Sequence, residues 1–132
     1  MKTKVEKQKV GGSIRRSSCP IACTLDLVGD KWSLLIIRDI YFFGKTRYEE
    51  FLASPEKIST NILADRLKKL EENGLVTKTQ YGAHSQRMKY ELTERGISLA
   101  KILKELSNWG LQNLSGTSIP EKSKQKSRLS NN

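Results

Sequence analysis

The chain has little with which to do covalent, redox or metal chemistry. Among its 132 residues there is one histidine, His84, and two cysteines, Cys19 and Cys23. Cys19 and Cys23 would need two further ligands to hold a metal, and His84 is the only histidine, so neither a metal nor another cofactor is expected. There is no glycine-rich phosphate loop and no nucleophile beside a plausible base, and the carboxylate pairs Glu49-Glu50 and Glu71-Glu72 are adjacent, so on helices they point apart. These absences argue against an enzyme. No run approaches the roughly 18–20 apolar residues of a membrane span, and the basic N-terminus lacks the apolar core of a signal peptide. A cytoplasmic protein without membrane attachment is expected. Cys19 and Cys23 cannot build a disulfide framework by themselves, so reduced thiols are expected.

What is abundant is positive charge, a formal +10. Much of it sits at the ends. Residues 1–18 hold Lys2, Lys4, Lys7, Lys9, Arg15 and Arg16 against Glu6, a net +5, and residues 116–132 hold Lys122, Lys124, Lys126 and Arg128 against Glu121, a net +3. Neither end has apolar periodicity, and both are rich in residues that bury little surface, so they read as disordered basic arms around a domain at 19–115. Such arms either attract phosphate non-specifically or keep the protein soluble.

Within 19–115 the punctuation is helical at first. Pro20 suits a first helical turn and Gly29 a stop, with Ile21, Ala22, Leu25, Leu27 and Val28 between. Asp30 can cap a second helix to about Phe43, in which Trp32, Leu35, Ile36 and Ile40 recur at helical spacing before Gly44. Thr46-Arg47-Tyr48-Glu49 reads as a capping box for a short helix to about Ala53, ended by Ser54-Pro55. Ser59 can cap the next helix, running to Asn73 with Gly74 as stop. At about 100° per residue, its Leu63, Leu67 and Leu70 share one face with Ile62 at the margin. Asn61, Ala64, Asp65 and Lys68 lie opposite, with Thr60 on the edge. Arg66 falls toward the core side, where a salt bridge is as plausible as a nucleic-acid contact.

Two strands follow, at Leu75–Tyr81 and Arg87–Leu92, joined by Gly82 to Gln86. Met88, Tyr90 and Leu92 share one face of the second strand; Arg87, Lys89 and Glu91 share the other. Thr93 then caps a long final helix to about Leu114. The expected fold class is therefore mainly α with a small β-hairpin, an α+β winged helix-turn-helix.

That order of elements points to duplex DNA. A helix entering the major groove, about 12 Å wide, needs short or hydrogen-bonding side chains near its N-terminus, which Thr60, Asn61 and Ala64 supply. Asn can bind an adenine edge, and the methyls of Thr and Ala can touch thymine. Between residues 57 and 89, Lys57, Arg66, Lys68, Lys69, Lys78, Arg87 and Lys89 stand against Asp65, Glu71 and Glu72, a net +4, more than the +2 of the whole segment between the arms. Arg87 and Lys89, alternating on one strand face, would track a phosphate backbone, and the hairpin tip would approach the minor groove. An ordinary solvated helix face is the plain alternative, and so is a protein-interaction adaptor using the same fold without DNA.

Taken together, Cys19-Pro20, Gly29-Asp30-Lys31-Trp32, Arg38-Asp39, Arg47-Tyr48 with Phe51, Ile58-Ser59, Leu67 with Leu70, Gly74-Leu75-Val76, Tyr90 with Leu92-Thr93 and Gly96, and Trp109-Gly110 form a pattern. It resembles the HxlR-type branch of bacterial and archaeal winged-helix regulators, related to the MarR group. The resemblance implies homodimeric repressors or activators paired through terminal helices, and DNA contact at Arg47, Ser59, Thr60, Asn61, Lys68 and Arg87. One departure is Ser85-Gln86, where many members carry prolines before the arginine of the second wing strand. Several members sense oxidants or electrophiles through the cysteine of the Cys-Pro pair, which implies the same role for Cys19. Its place at a helix N-terminus near Arg15 and Arg16 favours a thiolate, while a buried structural cysteine is the alternative, and Cys23 lies inside the helix.

The final helix independently suggests assembly. Its Ile97, Leu99, Ala100, Ile102, Leu103, Leu106, Trp109, Leu111 and Leu114 spread over an arc wider than the roughly 100° one core requires. A second copy of the chain is the economical partner, and packing against the first helix within one chain is the alternative.

Overall fold

A computed structural model describes residues 16–83 and 87–120. The arms expected at 1–18 and 116–132 thus fall mostly outside the described residues, as do His84 and the Ser85-Gln86 wing tip. In chain order the elements are α1 (Pro20–Val28), α2 (Ser33–Phe43), α3 (Tyr48–Leu52), α4 (Thr60–Glu72), β1 (Val76–Gln80), β2 (Met88–Leu92), α5 (Glu94–Ile97) and α6 (Ala100–Asn113). No helix among them is long and apolar enough to cross a membrane.

Local chemistry sets most of these boundaries. Gly44 closes α2 in the left-handed conformation at φ 69°, which a glycine adopts without steric cost. Asp30 caps α2 as expected, though the first helical residue is Ser33: one carboxylate oxygen accepts from the Trp32 and Ser33 amides at 3.0 Å, and the other from the Ser33 hydroxyl at 2.6 Å. Ser59 caps α4 by accepting from the Ile62 amide at 3.3 Å.

The box at the start of α3 is displaced by one residue from the expected one. Its cap is Arg47, not Thr46, so the returning carboxylate is Glu50 and not Glu49. Glu50 accepts from the amides of Thr46 at 2.8 Å and Arg47 at 3.0 Å, which holds its carboxyl below the usual range.

Strands β1 and β2 pair antiparallel, from Val76 opposite Leu92 to Gln80 opposite Met88. The Tyr81 amide adds one more bond, to the Arg87 carbonyl at 3.0 Å. The hairpin is tied to the helices by the Tyr90 amide, which donates to the Thr46 carbonyl at 2.8 Å, and by Tyr90 packing edge-on against Phe51.

The single long final helix does not form. Thr93 caps α5, accepting from the Gly96 amide at 3.0 Å while donating to the Gly74 carbonyl at 2.6 Å, and Gly96 lies so close to β1 that a Cβ there would stand 2.1 Å from the Leu75 carbonyl oxygen. The Ser98 hydroxyl then takes the Arg95 carbonyl at 2.6 Å, and the Leu99 amide turns to the Gly96 carbonyl instead. That shorter loop of hydrogen bonding ends α5 and redirects the chain into α6.

The core gathers Val28, Ile36, Ile37, Phe51, Ile58, Leu63, Leu67, Leu70, Leu75, Val76, Leu99 and Leu103. Each fully buried side chain contributes roughly 1.5–3 kcal/mol of hydrophobic stabilisation. The expected inward face of α4 is inward, whereas α2 centres on Ile36 and Ile37, leaving Leu35 and Ile40 half-buried.

A buried polar cluster locks the turn between α3 and α4. Asp39 accepts from Arg38 at 2.8 Å and from the Ser54 hydroxyl at 2.6 Å, and Lys45 donates to that hydroxyl at 2.7 Å. Arg38 reaches on to both oxygens of Glu56, at 2.8 and 2.9 Å, holding the Glu56 carboxyl below its usual range. These bonds stabilise a turn in which Lys57 takes a left-handed φ of 62°, a conformation that costs a non-glycine residue roughly 1 kcal/mol or more.

Asp30 makes the stability of this frame depend on acid. Burial pushes its carboxyl up, but the Ser33 hydroxyl, Arg66 and the two amides outweigh that and hold it at about 2 against 3.8. A depressed carboxyl stabilises the fold fully above its unfolded value and loses that contribution as pH falls through its folded value. Asp30→Asn is therefore expected to cost on the order of 1–2 kcal/mol at neutral pH, solvent screening included, with the difference from wild type vanishing between about pH 4 and pH 2. Urea unfolding at fixed protein concentration across that range checks it, and a difference that persists to pH 2 contradicts it.

Candidate nucleic-acid interface

The first turn of α4 is held from two sides. Ser59 caps it from below, and the Tyr48 hydroxyl on α3 donates to the Thr60 carbonyl at 3.0 Å. Leu63, Leu67 and Leu70 anchor the opposite face in the core, so the outward face is constrained to carry Thr60, Asn61, Ala64 and Lys68, all exposed. None of these four side chains is engaged by another described residue. They form a slim polar ridge with amide and hydroxyl groups at its start and a cation about two turns further on.

The expected phosphate contacts divide by their present partners. Lys68 and Arg87 are exposed and have no ion pair among the described residues. Lys89 pairs with Glu91 at 3.7 Å, while Lys69 pairs with Asp65 at 3.4 Å and Lys78 with Glu71 at 4.0 Å. Exposed pairs of this length are worth little and exchange readily for a phosphate. Ser59 spends its hydroxyl oxygen on the cap and keeps its hydroxyl proton for a donor bond.

Arg47 stands between the helices and the wing. It pairs with Glu50 at 3.3 Å and Glu49 at 3.8 Å, and its guanidinium lies 6.0 Å from the centre of the Tyr81 ring. With Thr46, Tyr81 and Lys89 it lines a shallow cleft where α3 meets the hairpin. The structure thus brings Arg47 and Lys89 together, and sequence reasoning missed Tyr81 as the residue between them. Its position at the end of a strand, next to Gly82, was the available signal.

Cys19 is exposed at the extended residue before Pro20, and Cys23 is half-buried with its thiol donating to the Ser17 carbonyl at 3.2 Å. The basic neighbourhood expected around Cys19 is altered. Arg16 is engaged by Asp26 at 2.5 Å and by the Ala22 carbonyl at 3.4 Å, and Arg15 lies outside the described residues. Asp26, on α1 itself, is a competitor that the sequence pattern did not bring into view.

Helix-turn-helix and wing are therefore both present, in the order and with the faces that the fold class requires. Residues 27–118 match the family described as HxlR-like helix-turn-helix. An uncharacterized HTH-type transcriptional regulator of Bacillus subtilis, YdeP, is 32% identical over 92 residues, 70% of this chain and 71% of its own. Among solved structures, the redox regulator HypR in its oxidized form is 33% identical, with a TM-score of 0.65 over 72% of this chain and 97% of its own. The reduced form of the transcriptional regulator YodB of B. subtilis is 30% identical, with a TM-score of 0.60 over 77% of this chain and all, 100%, of its own. With its winged fold, its family match and relatives that are regulators and not enzymes, the chain belongs to the HxlR-like helix-turn-helix family of transcription regulators.

Proposed function

We propose that this regulator binds duplex DNA sequence-specifically as a homodimer, using residues 19–115 as the reading and pairing domain. The observation that carries the reading is the outward face of α4. Its N-terminal turn is fixed by Ser59 and Tyr48, yet Thr60, Asn61, Ala64 and Lys68 are exposed and their side chains are unengaged by the described residues. In this reading α4 lies in the major groove, Asn61 reads a base, Thr60 and Ala64 offer methyl contacts, and Ser59, Arg47, Lys68, Arg87 and Lys89 dock phosphates. The expected basic arms at 1–18 and 116–132 would add non-specific attraction.

Selection of duplexes from a random pool by the wild-type protein tests the reading, and failure to enrich any sequence overturns it. The phosphate assignments have their own measurement. Neutralising Lys68 or Arg87 is expected to weaken binding to every duplex and to flatten the plot of log affinity against log salt by about one unit each. Unchanged slopes in both variants reject the assignments.

Pairing of two chains is supported by the apolar side chains left in water on α1 and α6. Sensing at Cys19 is supported by its exposure at a helix N-terminus and by the likeness to redox regulators. Alkylation of Cys19 that leaves DNA affinity unchanged overturns the sensing role.

A further inference from the structure

The recognition face of α4 is fixed not only by the core beneath it but by one ion pair at its side. Arg66, on α4, donates through Nε to an Asp30 carboxylate oxygen at 2.8 Å, across 36 residues of sequence. The same oxygen accepts from the Trp32 and Ser33 amides at 3.0 Å, so Arg66 grips the cap of α2 itself. Its other end is held by Asp65, its neighbour on α4. Both partners are partly shielded, with Arg66 and Asp30 side chains 24% and 30% exposed, unlike the longer surface pairs of the wing.

This places a directional, charge-assisted clamp one turn or so along the helix from Asn61. The core leucines fix which face of α4 points outward, but apolar contacts are non-directional and hold small rotations about the helix axis less tightly than a charged hydrogen bond does. A planar guanidinium that holds Asp65 on its own helix and, through Nε, a carboxylate itself fixed by three other donors restricts that rotation. A small rotation of α4 would carry the Asn61 amide away from a base edge while leaving flexible lysines within reach of phosphates.

We infer that Asp30 and Arg66 are positioning residues for sequence reading, setting the rotation of α4 so that Asn61 meets a base edge. The inference rests on the proposed DNA-reading role of α4. It requires no contact between either residue and DNA.

The test compares Arg66→Met, Asp30→Asn and the double variant on two probes at one salt concentration. The first probe is the tightest duplex that the wild type enriches from a random pool, and the second is the same duplex scrambled. The two single variants change net charge in opposite directions. If the residues acted only through charge, Arg66→Met would weaken and Asp30→Asn would strengthen binding on both duplexes. Positioning predicts the same sign for both: the ratio of selected to scrambled affinity falls by about fivefold in each, and the double variant falls no further than either single one. Arg66→Lys, which keeps the charge without the fork, is expected to recover only part of the ratio.

Thermal unfolding and circular dichroism accompany the titrations, because a purely structural role lowers stability without altering the ratio for the folded fraction. Should Arg66→Met not fold, Arg66→Lys, which leaves net charge unchanged, and Asp30→Asn decide instead: a fall in the ratio for both supports positioning, because charge alone would leave the first unchanged and strengthen the second on both duplexes. Ratios within twofold of wild type, or shifts of opposite sign, overturn the inference. Asn61→Ala, measured beside them, separates the two levels. If it lowers the ratio and the clamp variants do not, the clamp fails alone; if it too leaves the ratio unchanged, the reading role of α4 fails with it.

Discussion

Leu106→Glu together with Trp109→Glu is expected to give a folded monomer that has lost affinity for its selected duplex by about 10²–10⁴-fold. The expectation starts from side chains that the fold leaves in water: Trp109 is 60% exposed, Leu106 53%, and on α1 Ile21 and Leu25 are 71% and 55%. Pro20, Ile21, Thr24 and Leu25 of α1 line a groove with Ile102 of α6, and Ile102, Leu106 and Trp109 line a second along α6, so the apolar groups are contiguous. Such a surface marks an interface far more often than a free face.

A two-fold partner covering it would set two α4 helices on one side of the assembly, to meet half-sites about one helical turn, roughly 34 Å, apart. Each subunit then raises the effective concentration of the other at its half-site, and the loss on dissociation is the loss of that linkage. The substitutions spare Leu103, which is buried in the core while Leu106 and Trp109 stand in water, so the fold is expected to survive them. Cutting the chain before Ile102 would remove Leu103 as well and confuse the two effects. Sedimentation and DNA titration at matched concentrations check the prediction, and a wild type that is monomeric at micromolar concentration contradicts it.

The residues that were easiest to read from sequence are those whose chemistry is local. Pro20, Gly44, Ser59, Gly74 and Thr93 end or begin elements through their own backbone or one nearby hydrogen bond, and each lies where its type predicts. The alternation along β2 and the leucine stripe of α4 were legible for the same reason, since period alone assigns a face. What stayed hidden depends on contacts distant in sequence. The Asp39–Ser54 bond, the Arg38–Glu56 fork and the Asp30–Arg66 clamp join residues 15 to 36 apart, and no spacing rule anticipates them. The break between α5 and α6 was missed because the apolar pattern runs straight through it. The cause is the close approach of Gly96 to the Leu75 carbonyl, which belongs to another element.

The reading face itself falls between these cases. Its outward direction was visible in the helical period, but its unengaged state is a fact of the fold, because a neighbouring element could have covered Asn61 and none among the described residues does. The Arg47 cleft shows the reverse: the cation was expected at the interface, and the fold supplies Glu49, Glu50 and Tyr81 as partners it must partly release to bind phosphate.

Asn61→Ala is expected to cost about 1–3 kcal/mol on the selected duplex and little on the scrambled one. Asn61 is the second residue of α4, exposed, on a turn held by the Ser59 cap and by Tyr48. That is where helix-turn-helix proteins reach base edges, and a primary amide can both donate to and accept from an adenine. Phosphate attraction is untouched by the change, since the side chain carries no charge, so the scrambled duplex should be bound as before. Alanine is also a better helix former than asparagine, which removes destabilisation of α4 as an explanation for any loss. Thr60→Ala should cost less, because Thr60 lies nearer the edge of the buried arc and forfeits only a methyl and a hydroxyl contact. Paired binding curves on both duplexes at one salt concentration decide the matter. Equal losses on the two would place Asn61 against the backbone and move base reading to another part of the interface.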